Sequence, residues 1–167
     1  MVAEYAASRP NVVALRTFSK LYGLAALRIG YAVGPRDVID ALGRVRHFFD
    51  VGDMGVLAAL ASLADTPECD RRVAENARER GALAAALAGL GLSPLPAHGN
   101  FVCLELPDAP AVSTALELRG VLVRPMAGFG PLSDLLRISV GTAGDRVALV
   151  EALQAILPAE PRLSELG

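Results

Sequence analysis

The sequence predicts an α/β protein in two parts, the end of a large-domain parallel sheet followed by a smaller α+β unit. Three observations carry this expectation. Residues 11–15 and 27–33 are short, apolar, β-favouring runs of the kind found in buried parallel strands. Three helical stretches follow them. From residue 100 onward the pattern becomes β-α-β-β-α, which makes a compact unit with a mostly antiparallel sheet under helices. Two strands cannot by themselves cover both faces of a parallel sheet. The chain is therefore expected to be the C-terminal portion of a larger α/β enzyme, with residues 1–48 a remnant of the large domain, 49–160 the small domain and 161–167 a tail.

Each element has a local reason. Residues 1–10 are short and mixed in polarity, and a frayed start is expected. After the run at 11–15, a loop containing Gly23 spans 19–26, and strand-forming residues resume at 27–33. Pro35 sits well in the first turn of a helix, whose apolar face would be Val38, Ile39, Leu42 and Val45. Residues 48–55, with two Gly and two Asp, read as irregular before a helix to about residue 64. Thr66 and Pro67 restart the chain as N-cap and first helical position. Val73, Ala77, Ala84 and Leu87 would line that helix, and Gly89 and Gly91 end it.

In the second part, 100–106 reads as a strand, 109–119 as a short helix closed by Gly120, and 121–124 and 135–140 as two more strands. Thr142 and Asp145 have the spacing of a capping box opening the last helix, with Val147, Val150, Leu153 and Ile156 inward. The chain after Pro158 is expected to be loose.

Composition narrows the function classes. The 167 residues are 53% hydrophobic and 20% charged, which is enough for a packed core. A net charge of −2 argues against an electrostatic nucleic-acid or membrane binder, and the absence of Trp argues against a base-stacking surface. Cys69 and Cys103 have no partners at metal-ligand spacing, and His47 and His98 read as surface or satisfied core residues, so no metal site is expected. Met54 and Met126 read as packing. Neither a signal peptide nor a membrane span is legible, and a reducing cytoplasm is the expected compartment.

The chemistry concentrates in residues 16–31. Lys20 follows an apolar strand-like run, lies between the hydroxyls of Thr17 and Ser19 and the guanidinium of Arg28, and has Tyr22 close by. A lysine amine attacks an aldehyde only when neutral, so burial or a nearby cation must disfavour its charged form. Arg28 can supply that field and can also grip a phosphate with its planar fork. Hydroxyls, amine and guanidinium together suit a phosphate-bearing aldehyde, which points to pyridoxal phosphate.

This run resembles the lysine signature of fold-type-I class I/II aminotransferases, nearest to the histidinol-phosphate and aromatic aminotransferase group. One departure is Ala26, where that family more often has Gly. The resemblance implies that Lys20 bonds the cofactor and that Thr17, Ser19 and Arg28 hold its phosphate. Arg137, in the run 135–142, matches the arginine that grips the substrate's carboxylate or phosphate. Arg124, within 120–130, matches a contributor to the same anion pocket. Asn100, with Phe101, matches a substrate contact or a turn anchor, and the anchor is the favoured reading. The resemblance covers nearly all of this chain but only the later part of the family's fold. Upstream cofactor contacts, above all an Asp on the pyridine nitrogen, have no match before Thr17.

The function so implied is transfer of an amino group from histidinol phosphate or an aromatic amino acid to a 2-oxo acid such as 2-oxoglutarate, in a homodimer when full length. Lys20 would also act as general base. The alternatives are a non-catalytic truncated remnant or subunit piece and, ranked last, the effector domain of an aminotransferase-like transcription regulator, since no basic winged-helix segment precedes the motif. Decarboxylases and acyl-transferring synthases share the fold type, but the sequences around Arg124 and Arg137 lean towards aminotransferases.

Overall fold

A computed structural model describes residues 2–157 of the chain. The expected loose end after Pro158, including the tail at 161–167, lies outside these residues. Packing divides the chain into two compact units, residues 1–73 and the residues from 74 onward. The division falls later than the boundary at 48/49 read from the sequence.

The first unit begins with a helix, α1 (Val2–Ala7), where a frayed start is expected from sequence. Ala6 is fully buried, and the helix is closed by Ser8, whose N–H donates to the Glu4 carbonyl and whose hydroxyl donates to the Tyr5 carbonyl. The two strands that follow, β1 (Ala14–Thr17) and β2 (Gly30–Val33), pair with each other in antiparallel register from Ala14↔Val33 to Thr17↔Gly30. This corrects the expectation of parallel strands without partners in the chain. A parallel pair needs a crossover connection, usually a helix. Residues 18–29 instead fold back on themselves, and β1 buries only Ala14 while Leu15 is exposed.

Pro35 is the N-cap of α2 (Arg36–Val45), one place before the helical position expected of it. Val38 and Ile39 are half-buried, but Leu42 and Val45 are exposed, so only half of the expected apolar face is covered. The next helix, α3 (Asp53–Ala64), starts inside the segment expected to be irregular, with the Gly55 and Val56 N–H groups donating to the Gly52 carbonyl. Asp65, not Thr66, caps α4 (Thr66–Ala88): its carboxylate accepts from the Glu68 N–H at 3.2 Å, which moves Thr66 and Pro67 into the first turn.

In the second unit α4 buries Leu83 and Leu87 and leaves Ala77 exposed; Val73, the last residue of the first unit, is also exposed. The apolar stripe thus covers only the C-terminal half of the helix. Gly91, with φ +77°, follows its end. The remaining elements are β3 (Phe101–Glu105), α5 (Ala109–Glu117), β4 (Arg124–Pro125), β5 (Leu135–Ser139) and α6 (Ala143–Ile156). The strands form an antiparallel sheet in the order β3-β5-β4.

β4 is shorter than the strand expected at 121–124. The Val121 N–H donates to the Leu116 carbonyl and the Val123 carbonyl accepts from the Ser113 hydroxyl, so the backbone before Arg124 is held by α5 rather than by the sheet. Side chains alternate across the strands. Val102, Leu104, Leu136 and Ile138 point into a core completed by Leu116 of α5 and by Leu149, Ala152 and Leu153 of α6. In α6 Val150 and Ile156 are half-buried and Val147 is exposed, which corrects the expectation for Val147. The capping box is present: the Thr142 hydroxyl accepts from the Asp145 N–H, and the Asp145 carboxylate accepts from the Thr142 N–H at 2.7 Å.

Candidate active site

In the first unit, the loop between β1 and β2 carries Ser19, Lys20 and Arg28, and Thr17 stands at its base. Both ends are tied. The Phe18 N–H donates to the Ile29 carbonyl at 3.1 Å, and the Phe18 carbonyl accepts from the Leu24 N–H at 3.0 Å. The Phe18 ring is buried, 4.7 Å from the Tyr22 ring and 6.0 Å from that of Tyr31. Tyr22 is thereby a packing residue of this loop. Lys20 opens a tight turn, its carbonyl accepting from the N–H of Gly23, which has φ +71° as such a bend favours. A Cβ at Gly23 would lie 3.5 Å from Arg72, whose guanidinium donates to the Leu21 carbonyl at 2.9 Å.

The four polar side chains of the loop do not pair with one another except locally. The Thr17 hydroxyl accepts from the Ser19 N–H at 3.0 Å. Arg28 has φ +51° and donates one terminal nitrogen to the Ala25 carbonyl at 2.8 Å. Thr17, Lys20 and Arg28 are exposed and Ser19 is half-buried. The desolvation expected for Lys20 is not supplied by the residues around it. Lys20 is the only lysine in the sequence.

Arg72 also belongs to a small charge cluster with Glu68 and Arg71. Glu68 accepts from Arg71 at 2.6 Å and from Arg72 at 2.7 Å, and these bonds, that from Arg71 first, lower its carboxyl from 4.5 to about 2. The acid fixes the guanidinium that holds the Lys20 loop.

In the second unit the sheet face opposite the core carries Phe101, Cys103, Arg124 and Arg137. Arg137 stands in register with Cys103 on one side and Arg124 on the other. Its guanidinium carbon lies 4.6 Å from the centre of the Phe101 ring, and its Nε is buried without a hydrogen-bond partner among the described residues. Two arginines directly across a ladder repel, and an oxyanion between them would relieve that. Asn100 lies just before β3, where its backbone carbonyl accepts from the Val140 N–H at 2.9 Å. That main-chain bond continues the β3–β5 ladder by one step.

Residues 3–156 match the family model described as aminotransferase class I and II. The chain belongs to this family. It is 45% identical over 152 residues to histidinol-phosphate aminotransferase 1 of Thiobacillus denitrificans, covering 91% of this chain and 39% of the relative. It is 44% identical to histidinol-phosphate aminotransferase of Dinoroseobacter shibae, covering 89% and 42%. The chain thus spans about two fifths of the length of these curated relatives. Among solved structures, it superposes with a TM-score of 0.79 and 31% identity on histidinol-phosphate aminotransferase from Sinorhizobium meliloti in complex with pyridoxal-5'-phosphate, covering 93% of this chain and 44% of that one. L-threonine-O-3-phosphate decarboxylase from Porphyromonas gingivalis gives the same TM-score at 24% identity, over 92% and 49% of the two chains. That likeness shows the fold alone: the transferase architecture expected from sequence, which different reactions share.

The contacts of Arg72 with Leu21 and of Phe101 with Arg137 were not found from the sequence. Arg72 has no local signal, because its partner carbonyl is distant in the chain. Phe101 could have been found from the alternation of β3 against β5, which places it on the face of Arg137.

Proposed function

We propose that this chain carries the lysine-bearing part of a pyridoxal phosphate-dependent aminotransferase, acting on histidinol phosphate or an aromatic amino acid with 2-oxoglutarate as acceptor. The observation that carries the reading is the loop 17–28. It gathers two hydroxyls, the chain's single lysine and a guanidinium on a turn tied at both ends. That donor set fits an aldehyde and a phosphate held side by side. Family membership and relatives named histidinol-phosphate aminotransferase support the same reading.

In this reading Thr17, Ser19 and Arg28 would hold the cofactor phosphate, as charge-assisted donors, and Lys20 would bond its aldehyde. When bound, the cofactor supplies an electron sink for the substrate carbon. Lys20 Nζ takes and returns the proton at that carbon as general base. Arg137, with Arg124 beside it, orients the substrate by its carboxylate or phosphate. Asn100 ties the start of the sheet. Residues 1–48 would belong to the cofactor-binding domain and the small domain would start at 49, although residues 49–73 pack with the first unit. The working enzyme is a cytoplasmic homodimer in which further polypeptide covers Lys20, exposed on this chain. The chain alone is an inactive part of that site.

The test is reductive trapping. Pyridoxal phosphate and borohydride added to the chain should label Lys20, and phosphate-free pyridoxal should label it much less. With one lysine, the α-amino group is the only competing amine. Arg28→Ala should weaken labelling at Lys20. Label confined to the N-terminus, or Lys20 labelling indifferent to the cofactor's phosphate, sinks the reading. Amino-donor screening of the full-length enzyme, loaded with pyridoxal phosphate and not reduced, would separate histidinol phosphate from aromatic amino acids.

A further inference from the structure

We propose that Phe101 is a positioning residue for Arg137, presenting the guanidinium to a substrate oxyanion by its terminal edge. This rests on the reading that Arg137 binds the substrate's carboxylate or phosphate.

Strand register brings the two side chains together. Phe101 stands opposite Ser139 and Cys103 opposite Arg137, so Phe101 and Arg137 are diagonal neighbours on one face of the β3–β5 pair. Diagonal neighbours are within reach of aromatic and long side chains. The ring uses that reach: the guanidinium carbon lies 4.6 Å from its centroid, inside cation–π range. The guanidinium carbon thus lies over the face of the ring. The Nε edge is closed, because that atom is buried and unpartnered among the described residues. The terminal nitrogens are not among the buried, unpartnered atoms of the described residues. An oxyanion would therefore meet Arg137 end-on, through two parallel N–H donors.

The chemical identity of the neighbour matters. A carboxylate at this place would also hold an arginine still, but it would neutralise the charge and compete with the substrate. An aromatic ring restrains the plane and leaves the charge available. Arg124, in register on the other flank, adds a second positive charge and no acceptor. Ring and flanking cation favour an anion at Arg137, on a face whose other diagonal neighbour of Arg137 is Glu105.

The experiment titrates the 167-residue chain with inorganic phosphate and, in a separate arm, with acetate, following the Arg137 side-chain N–H signals by NMR. Wild type, Phe101→Leu, Phe101→Tyr and Arg137→Ala are compared, with circular dichroism confirming that each is folded. We expect Phe101→Leu to weaken binding by about two- to five-fold, the scale of one exposed cation–π contact. Phe101→Tyr should bind as wild type does, and Arg137→Ala should lose the response. Wild-type binding by folded Phe101→Leu, with binding lost in Arg137→Ala, overturns the role of Phe101 and leaves Arg137 as the anion site. Equal loss in Phe101→Leu and Phe101→Tyr also overturns it, since the ring face would then be irrelevant. Undiminished binding by Arg137→Ala overturns the underlying reading and this proposal with it. The phosphate and acetate arms show which oxyanion the pair prefers.

Discussion

Replacing Gly30 by alanine should loosen the loop that carries Lys20, although the two residues do not touch. A Cβ at position 30 would lie 2.6 Å from the Arg16 carbonyl oxygen and 3.5 Å from the Thr17 Cα. Ordinary contact begins near 3.4 Å, so the strands must part by roughly 0.8 Å. The obstacle is backbone, which cannot swing aside as a side chain can. It also lies in the β1–β2 ladder, where Gly30 faces Thr17. Overpacking of this kind costs about 1–3 kcal/mol, and the upper half of that range is expected because a ladder is strained with it. The disturbance reaches the Phe18–Ile29 bond one residue beyond, which closes the loop. Chemical denaturation of wild type and Gly30→Ala measures the loss, and amide exchange at Phe18 and Leu24 locates it. Trapping of pyridoxal phosphate at Lys20 should fall in parallel. Unchanged denaturation midpoint and unchanged exchange at both amides would show that the ladder does not hold the loop, and the reasoning would fail.

Leu104→Ala should destabilise the second unit by about 2–5 kcal/mol, since Leu104 is fully buried at the centre of the sheet core; calorimetry or denaturant melts check this, and a loss under about 1 kcal/mol would refute it. Two carboxyls, Glu68 and Asp145, are held below their ordinary values, so each contributes stability that is fully present above that value and is lost as pH falls through the folded one. For Glu68 the window runs from 4.5 down to about 2, as its bonds to Arg71 and Arg72 are given up. Asp145 is lowered from 3.8 by the Thr142 N–H and then by the Thr142 hydroxyl, so the first turn of α6 should loosen below that pH. Thr142→Ala should bring the Asp145 midpoint closer to 3.8 and cost about 1 kcal/mol at neutral pH; NMR titration and melting curves would show both, and an unmoved midpoint would count against the cap.

What could be read from the sequence was local. The capping box of Thr142 and Asp145 is complete within four residues, and spacing alone finds it. The residues from Thr17 to Arg28 could be singled out for the same reason, since they lie within twelve positions of one another. Strand direction was not. Residues 11–15 are apolar, but an apolar run does not name its partner, and Leu15 turned out exposed once β1 paired with β2. The strand expected at 121–124 shrank because α5 took its backbone groups, a competition no strand propensity contains. The contact of Phe101 with Arg137 depends on the register of β3 against β5, and the grip of Arg72 on Leu21 on a helix returning to a loop.

Arg28 holds a left-handed backbone, φ +51°, that glycine adopts freely and other residues adopt only at a cost. Arg28→Gly should therefore relax the backbone while deleting the charge. A library of this chain screened only for resistance to heat or protease would drift towards glycine at position 28, and one screened for phosphate-dependent labelling of Lys20 would drift back. The two selections pull a single codon in opposite directions, so position 28 can report whether a stabilised variant has been improved as a fold at the expense of phosphate-dependent labelling.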